Sequence, residues 1–292
     1  MKSNPIYKRW LRRLAVLIAA ALVGLYIALP IGMGVSAVAP LKSAVGAPPI
    51  GFQAITLTTE DNVNLAGWYA PSNNGAAIIL IHGAGGSREA VRGYAEMLMR
   101  HGYGVLALDL RGHGESAGVS NRFGWQGTRD VGAALAYLQS RSEVNSIGGL
   151  GLSLGGEVLL GAASTYPAIK VIVADGASQR CIAELTALPA EQPLVRNFTA
   201  RVMYTAVQVL TGETPPKPLL DSMREAADTR FLLIAAGANE REVAFNELFA
   251  DTIGARAELW VARDVPHTGA FDQYPAEYEQ RVIEFFKAAG RD

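Results

Sequence analysis

Ser153 stands in Gly151-Leu152-Ser153-Leu154-Gly155, a G-x-S-x-G run. A serine hydroxyl is a weak nucleophile until a base takes its proton. The chemistry open to this run is therefore acyl transfer, provided that a histidine and an acid reach the serine. The flanking glycines suit a sharp strand-to-helix turn, which lifts the hydroxyl above the sheet edge while strand and helix approach closely. Four histidines are available: His82, His101, His113 and His267. Where the chain order is serine, acid, histidine, only His267 lies downstream of Ser153, in Val265-Pro266-His267-Thr268-Gly269. His101 closes a helical pattern, where a polar side chain suits the dipole.

The third group must orient the imidazole and stabilise its charged form. It should follow the strand before the last one, where Gly237-Ala238-Asn239-Glu240-Arg241-Glu242 occurs. Glu240, three residues after Gly237, is the first choice. Glu242 competes, only two residues further on, and Asp264 is a weaker option. An acyl-transfer site also needs N–H donors for a developing oxyanion. The glycine-rich His82-Gly83-Ala84-Gly85-Gly86-Ser87 offers the backbone N–H of Ala84, to be paired with that of Leu154.

Elements that could hold these groups are visible in the hydropathy pattern. Residues 54–59 and 63–69 alternate in period two around Asp61-Asn62, a hairpin signature. Short apolar runs at 77–81, 104–108, 147–152, 169–174, 230–236 and 256–262 predict strands. Helical spacing predicts helices over 88–100, 128–140, 154–163, 242–252 and 276–288, with Tyr278, Val282 and Phe285 facing the core. Strands alternating with helices imply a mostly parallel sheet covered on both faces. Residues 178–227 break the rhythm with Pro189, Pro193, Pro215, Pro216 and Pro218, and read as a cap inserted between two core strands. Cys181 lies in that insertion and is read as a packing residue.

Taken together, the 82–87 loop, Asp109-Leu110-Arg111-Gly112-His113-Gly114-Glu115-Ser116, the elbow at Ser153 and His267 resemble the α/β-hydrolase superfamily. The chain is similar to its serine-hydrolase members of the esterase and S33-peptidase type, over about residues 52–289. The resemblance implies an α/β fold with a small helical cap and catalysis by Ser153, an acid and His267, without metal or cofactor. It implies a small-molecule ester or amide as substrate, a carboxylic ester first, with peptidase, thioesterase and lipase activities as alternatives. It also implies a structural role for the 111–116 stretch. Relatives commonly carry Asp where Glu240 stands. A different class of reading is a tethered, non-catalytic binding protein on the same fold. No Gly-Lys pair occurs, which excludes a Walker nucleotide loop.

The 292 residues, half of them hydrophobic and 18% charged, exclude bulk disorder. A single cysteine excludes an internal disulfide framework. The net charge of −1 conceals two regions. Residues 1–42 hold six basic side chains and no acid, leaving 20 basic against 27 acidic in the rest. That acidic body argues against a nucleic-acid surface. Residues 14–41 carry no charge, more than the roughly 20 residues needed to cross hydrocarbon. This segment, 1–41, is expected to be an uncleaved signal anchor, with residues 42–53 as linker and 54–289 as the globular domain. The basic flank before the span places the N-terminus in the cytoplasm and the domain outside. The alternatives are a cleaved signal peptide, with Ala37-Val38-Ala39 as the processing site and a secreted product, and a buried or interfacial helix.

Overall fold

The computed structural model describes residues 5–119, 123–188 and 194–289. Pro189 and Pro193 of the insertion lie outside the described residues, as does Lys2 of the basic flank. The main sheet has eight strands: β1 (Gln53–Thr58), β2 (Asn64–Ala70), β3 (Ala76–Ile81), β4 (Gly104–Leu108), β5 (Ser146–Leu152), β6 (Ile169–Asp175), β7 (Arg230–Ala236) and β8 (Ala257–Ala262). Their order across the sheet is β8-β7-β6-β5-β3-β4-β2-β1. β2 alone runs opposite to the other seven strands of this sheet. This is the α/β-hydrolase arrangement.

Successive residues of a strand point to opposite faces, so a fully apolar run needs cover on both. Ile79 and Ile81 of β3 join one apolar cluster, with Val131, Leu135 and Leu138 of one helix and Phe245 and Phe249 of another. Ile78 and Leu80 join the opposite cluster, with Met97, Leu98, Tyr278, Val282 and Phe285. The covering helices are α3 (Arg92–Arg100), α4 (Gly127–Gln139), α5 (Leu154–Ala162), α9 (Glu240–Ile253) and α11 (Pro275–Ala289). The hairpin turns at Asn62, whose φ is 61°.

The N-terminal segment is one continuous helical run: α1 (Pro5–Val23), a π-helical turn over Gly24–Ala28, and α2 (Leu29–Val38). Pro30 explains the turn. A proline inside a helix has no N–H to give and crowds the preceding carbonyls. The widened turn, in which Leu29 N–H reaches Gly24 O, relieves this just before it. The helix is long and apolar over Lys8–Val38, with little of it buried. Its last part is not free: Pro30, Gly34 and Ala37 are buried.

The stretch read as a linker is irregular but fastened. Leu41–Lys42 pairs in parallel with His113–Gly114. Gly46 N–H donates to Glu89 and the Arg92 guanidinium donates to Ala47 O. Between β6 and β7 the insertion carries α6 (Ile182–Leu185), α7 (Leu194–Thr211) and α8 (Leu219–Glu225). The remaining short helix is α10 (Ala270–Gln273).

Candidate active site

β5 ends at Leu152 and α5 starts at Leu154, so Ser153 is the single residue between strand and helix. Its φ of 50° and ψ of −115° form a sparsely populated conformation, held by the Ser153 N–H bond to Asp175 O at 2.6 Å. The two glycines of the motif are required by contact. A Cβ on Gly151 would fall 2.3 Å from the carbonyl carbon of Gly155, and one on Gly155 would fall 2.4 Å from Ile81 O. β5, β3 and the start of α5 could not come this close around a side chain.

His267 sits in the loop after β8. Its Nε2 is 2.8 Å from Ser153 Oγ and its Nδ1 is 2.5 Å from Glu242 Oε2. Burial falls along this relay: the Glu242 side chain is 2% exposed and that of His267 is 47% exposed. The hydrogen bond that His267 Nδ1–H donates to Glu242 raises the His267 pKa above its ordinary value, against an opposing effect of partial burial. Gly176, at φ 78°, lies directly beneath the ring; a Cβ there would be 2.8 Å from His267 Cε1.

The first choice of acid is corrected. Glu240 is exposed, and Glu242 is the carboxylate on His267. The reason is where the helix starts. It begins at Glu240 and not at Glu242, with Asn239 as its N-cap. Asn239 Oδ1 accepts the Glu242 N–H at 3.2 Å, and Asn239 Nδ2 donates to Glu242 Oε2 at 3.2 Å. Glu242 is thus the third helical residue, whose side chain reaches back toward the N-terminus. Its Oε1 accepts the Ala236 N–H at 2.7 Å, which ties it to the end of β7. Asp264 is exposed in a turn.

The 82–87 loop passes beside the serine: a Cβ on Gly83 would be 3.4 Å from Ser153 Cβ. His82 fixes this loop. Its Nε2 accepts the Leu110 N–H at 3.1 Å, so Nδ1 carries the proton and donates to Gly83 O at 2.8 Å. Burial pushes its pKa down to about 3, so the ring is neutral. Among the described residues, the N–H groups of Ala84 and Leu154 have no backbone acceptor. The other two histidines stand apart: His101 bonds Glu279 at 2.7 Å, and the His113 ring is buried with Nδ1 3.1 Å from Arg111 O.

The 109–116 stretch braces the scaffold. Buried Asp109 accepts the N–H groups of Arg88 at 2.6 Å and Glu115 at 2.8 Å, and pairs with the Arg88 guanidinium. Arg111 bridges Asp130 at 2.8 Å and Asp61 at 2.7 Å.

Two buried carboxyls near the relay escaped the sequence reading. Asp175 closes β6, and burial pushes it up to about 7. Glu157, one helical turn after Ser153, is pushed up to about 7 by burial and accepts the N–H groups of Ser178 at 3.2 Å and Gln179 at 3.1 Å. Asp175 could have been found as the acid ending an apolar strand; Glu157 carries no such signal, being one of many helical glutamates.

Comparison with known proteins agrees with this fold. A family model described as serine aminopeptidase, S33, matches residues 72–230, more than half of the chain. An esterase of Pyrococcus furiosus superposes with a TM-score of 0.67 at 25% identity, covering 86% of this chain and 98% of that one. A membrane phospholipase A, described as a bacterial virulence factor, shares the fold with a TM-score of 0.60 at 18% identity, over 98% of this chain and 100% of that one. An uncharacterized protein YfhR of Salmonella typhi is 31% identical over 131 residues, 42% of this chain and 44% of that protein. Protein phosphatase methylesterase 1 of Candida albicans is 32% identical over 134 residues, 44% of this chain and 37% of that protein. The matches to these two relatives span less than half of their lengths. By fold and by family model, the chain belongs to the S33 serine aminopeptidase-like family of α/β-hydrolases.

Proposed function

We propose that the chain is a membrane-anchored serine hydrolase that cleaves a carboxylic ester through an acyl-enzyme. The observation that carries this reading is the unbroken relay from Ser153 through His267 to Glu242. His267 Nε2 takes the Ser153 proton as Oγ attacks the carbonyl carbon. The imidazolium that forms keeps its Nδ1–H on buried Glu242, which stabilises the charge. The N–H groups of Ala84 and Leu154 receive the oxyanion. His267 then protonates the departing alcohol, and water enters by the same base to free the acid and restore Ser153. An esterase and a methylesterase among the similar proteins favour the ester over the amide.

The anchor is the helix over Lys8–Val38, with the basic flank in the cytoplasm and the hydrolase domain outside. A fluorophosphonate probe tests the chemistry: it should label the full chain and not Ser153→Ala. Failure to label a folded wild type would return the chain to the non-catalytic binding reading. Paired assays on a nitrophenyl ester and a matched nitroanilide separate esterase from peptidase. Protease access in sealed membrane vesicles tests the orientation.

A further inference from the structure

The cap helix α7 lies along the anchor. Gly34 is where the two helices touch: a Cβ there would be 2.9 Å from both Ala206 Cβ and Met203 O. Small residues at such a contact let two helix backbones approach. Ala37 continues the contact in an apolar cluster with Trp125, Leu185, Tyr204 and Val207. Beside this seam runs an apolar groove lined by Ile31 and Val35 of the anchor and by Val202, Ala206, Val209 and Leu210 of α7. Its outer wall is open: Val209 is 77% exposed and Leu210 51% exposed, with Phe198 49% exposed on the same helix.

The anchor supplies a ruler for the depth of this groove. About 20 helical residues cross the hydrocarbon, so a span that starts after Arg13 reaches its outer edge near Met33. Ile31 and Val35 straddle that edge, and they share the groove with α7. α7 also touches Gly24–Ala28, below the edge. Just past the helix, Glu213 turns back to Gln126 at 2.8 Å and Arg129 at 3.3 Å, which returns the chain to the domain. The exposed apolar side of α7 therefore stands at the level where acyl chains meet headgroups, and Arg201 on the groove has the reach to place its guanidinium among phosphates.

The geometry points to α7 as an interfacial helix, its Val209–Leu210 end seated in the outer leaflet against acyl chains. This rests on the proposed anchor. The occupant is lipid because the groove is continuous with a helix face that is itself lipid-facing: Leu29, Ile31, Met33 and Val35 are all exposed. The same helix reaches the catalytic end of the sheet. Tyr204 stacks with Trp125 at 6.3 Å, and next to it a Cβ on Gly124 would lie 2.9 Å from Leu154, the residue after the nucleophile. The bilayer surface and Ser153 are thereby joined through one cap element.

The test uses the full-length chain in vesicles of phosphatidylcholine and phosphatidylglycerol containing acyl-chain doxyl lipid. Single cysteines carry a fluorophore at Val209, at Leu210, at Val16 inside the proposed span, and at Asp228 on the opposite end of the sheet. Native Cys181, 2% exposed, does not compete for the label. Expected is quenching at Val209 and Leu210 comparable to that at Val16, with Asp228 unquenched. Quenching at Val16 with none at Val209 and Leu210 would overturn the interfacial helix and leave the anchor standing. No quenching at Val16 would remove the anchor and the inference together. Ready Val209→Cys disulfide crosslinking without quenching would give the groove to a second copy and also overturn the proposal.

Discussion

At the scale of single residues, the relay makes separable demands on Glu242, Glu240 and His267. Glu242→Gln keeps the shape but removes the charge that stabilises imidazolium, so kcat/KM should fall by about 10²–10⁴. Glu240→Gln, on an exposed side chain, should leave it within about twofold of wild type. Steady-state kinetics on one ester with both variants decides between them, and the opposite ranking would reassign the acid. The pH profile adds an independent reading. As the proposed base, His267 acts only when neutral, and its pKa is raised by the hydrogen bond to Glu242. Activity should therefore fall as pH drops through a value above the ordinary imidazole value of about 6.5. Loss of the Glu242 charge lowers that pKa, so in Glu242→Gln the acid limb of kcat/KM should move to lower pH. A limb that stays in place would show that it belongs to another group.

At the scale of elements, the site depends on how closely strand and helix ends approach. Gly155→Ala would push a methyl into Ile81 O at 2.4 Å, a backbone atom that cannot move aside. Overpacking of this kind costs about 1–3 kcal/mol, and urea unfolding of the detergent-solubilised chain should show it together with lost activity. Asn239→Ala tests the cap of α9. It removes the acceptor for the Glu242 N–H and a donor to the Glu242 carboxylate. A lost N-cap costs about 1 kcal/mol. Activity should drop by more than that stability loss explains, since Glu242 would also lose its orientation. A variant that is destabilised with unchanged kcat would confine Asn239 to a folding role.

At the scale of the whole molecule, the N-terminal helix and the α/β body share a core. Ala37 and Val38 complete an apolar cluster with Trp125, Leu185, Tyr204 and Val207. Removing the first 49 residues would open that cluster to water. A chain beginning at Ile50 should therefore melt several degrees lower than the full chain in the same detergent, by circular dichroism. An unchanged melting temperature would mean that the helix is a tether only. Sodium carbonate washing of membranes is the companion measurement: the full chain should stay in the pellet.

Much of this was legible in the chain itself, because the signals are local. Strand runs, helical periods and the hairpin at Asp61-Asn62 follow from neighbouring residues, and their observed bounds differ by one or two positions. Ser153 was readable because its turn tolerates few residues beside it, and His267 because the other three histidines precede the serine. The acid was not settled by position along the chain. Asn239-Glu240-Arg241-Glu242 already carried a capping-box spacing, but which carboxylate faces His267 depends on where the helix begins. The seam between α2 and α7 was wholly beyond reading. It joins residues about 170 positions apart through the small side of Gly34, and packing of that kind has no signature at short range. The fold, the elbow serine and the downstream histidine could be read from the chain alone, because turn chemistry and periodicity are local. The carboxylate that meets His267 and the packing of α2 on α7 come from the three-dimensional structure, because both are set by contacts between distant segments.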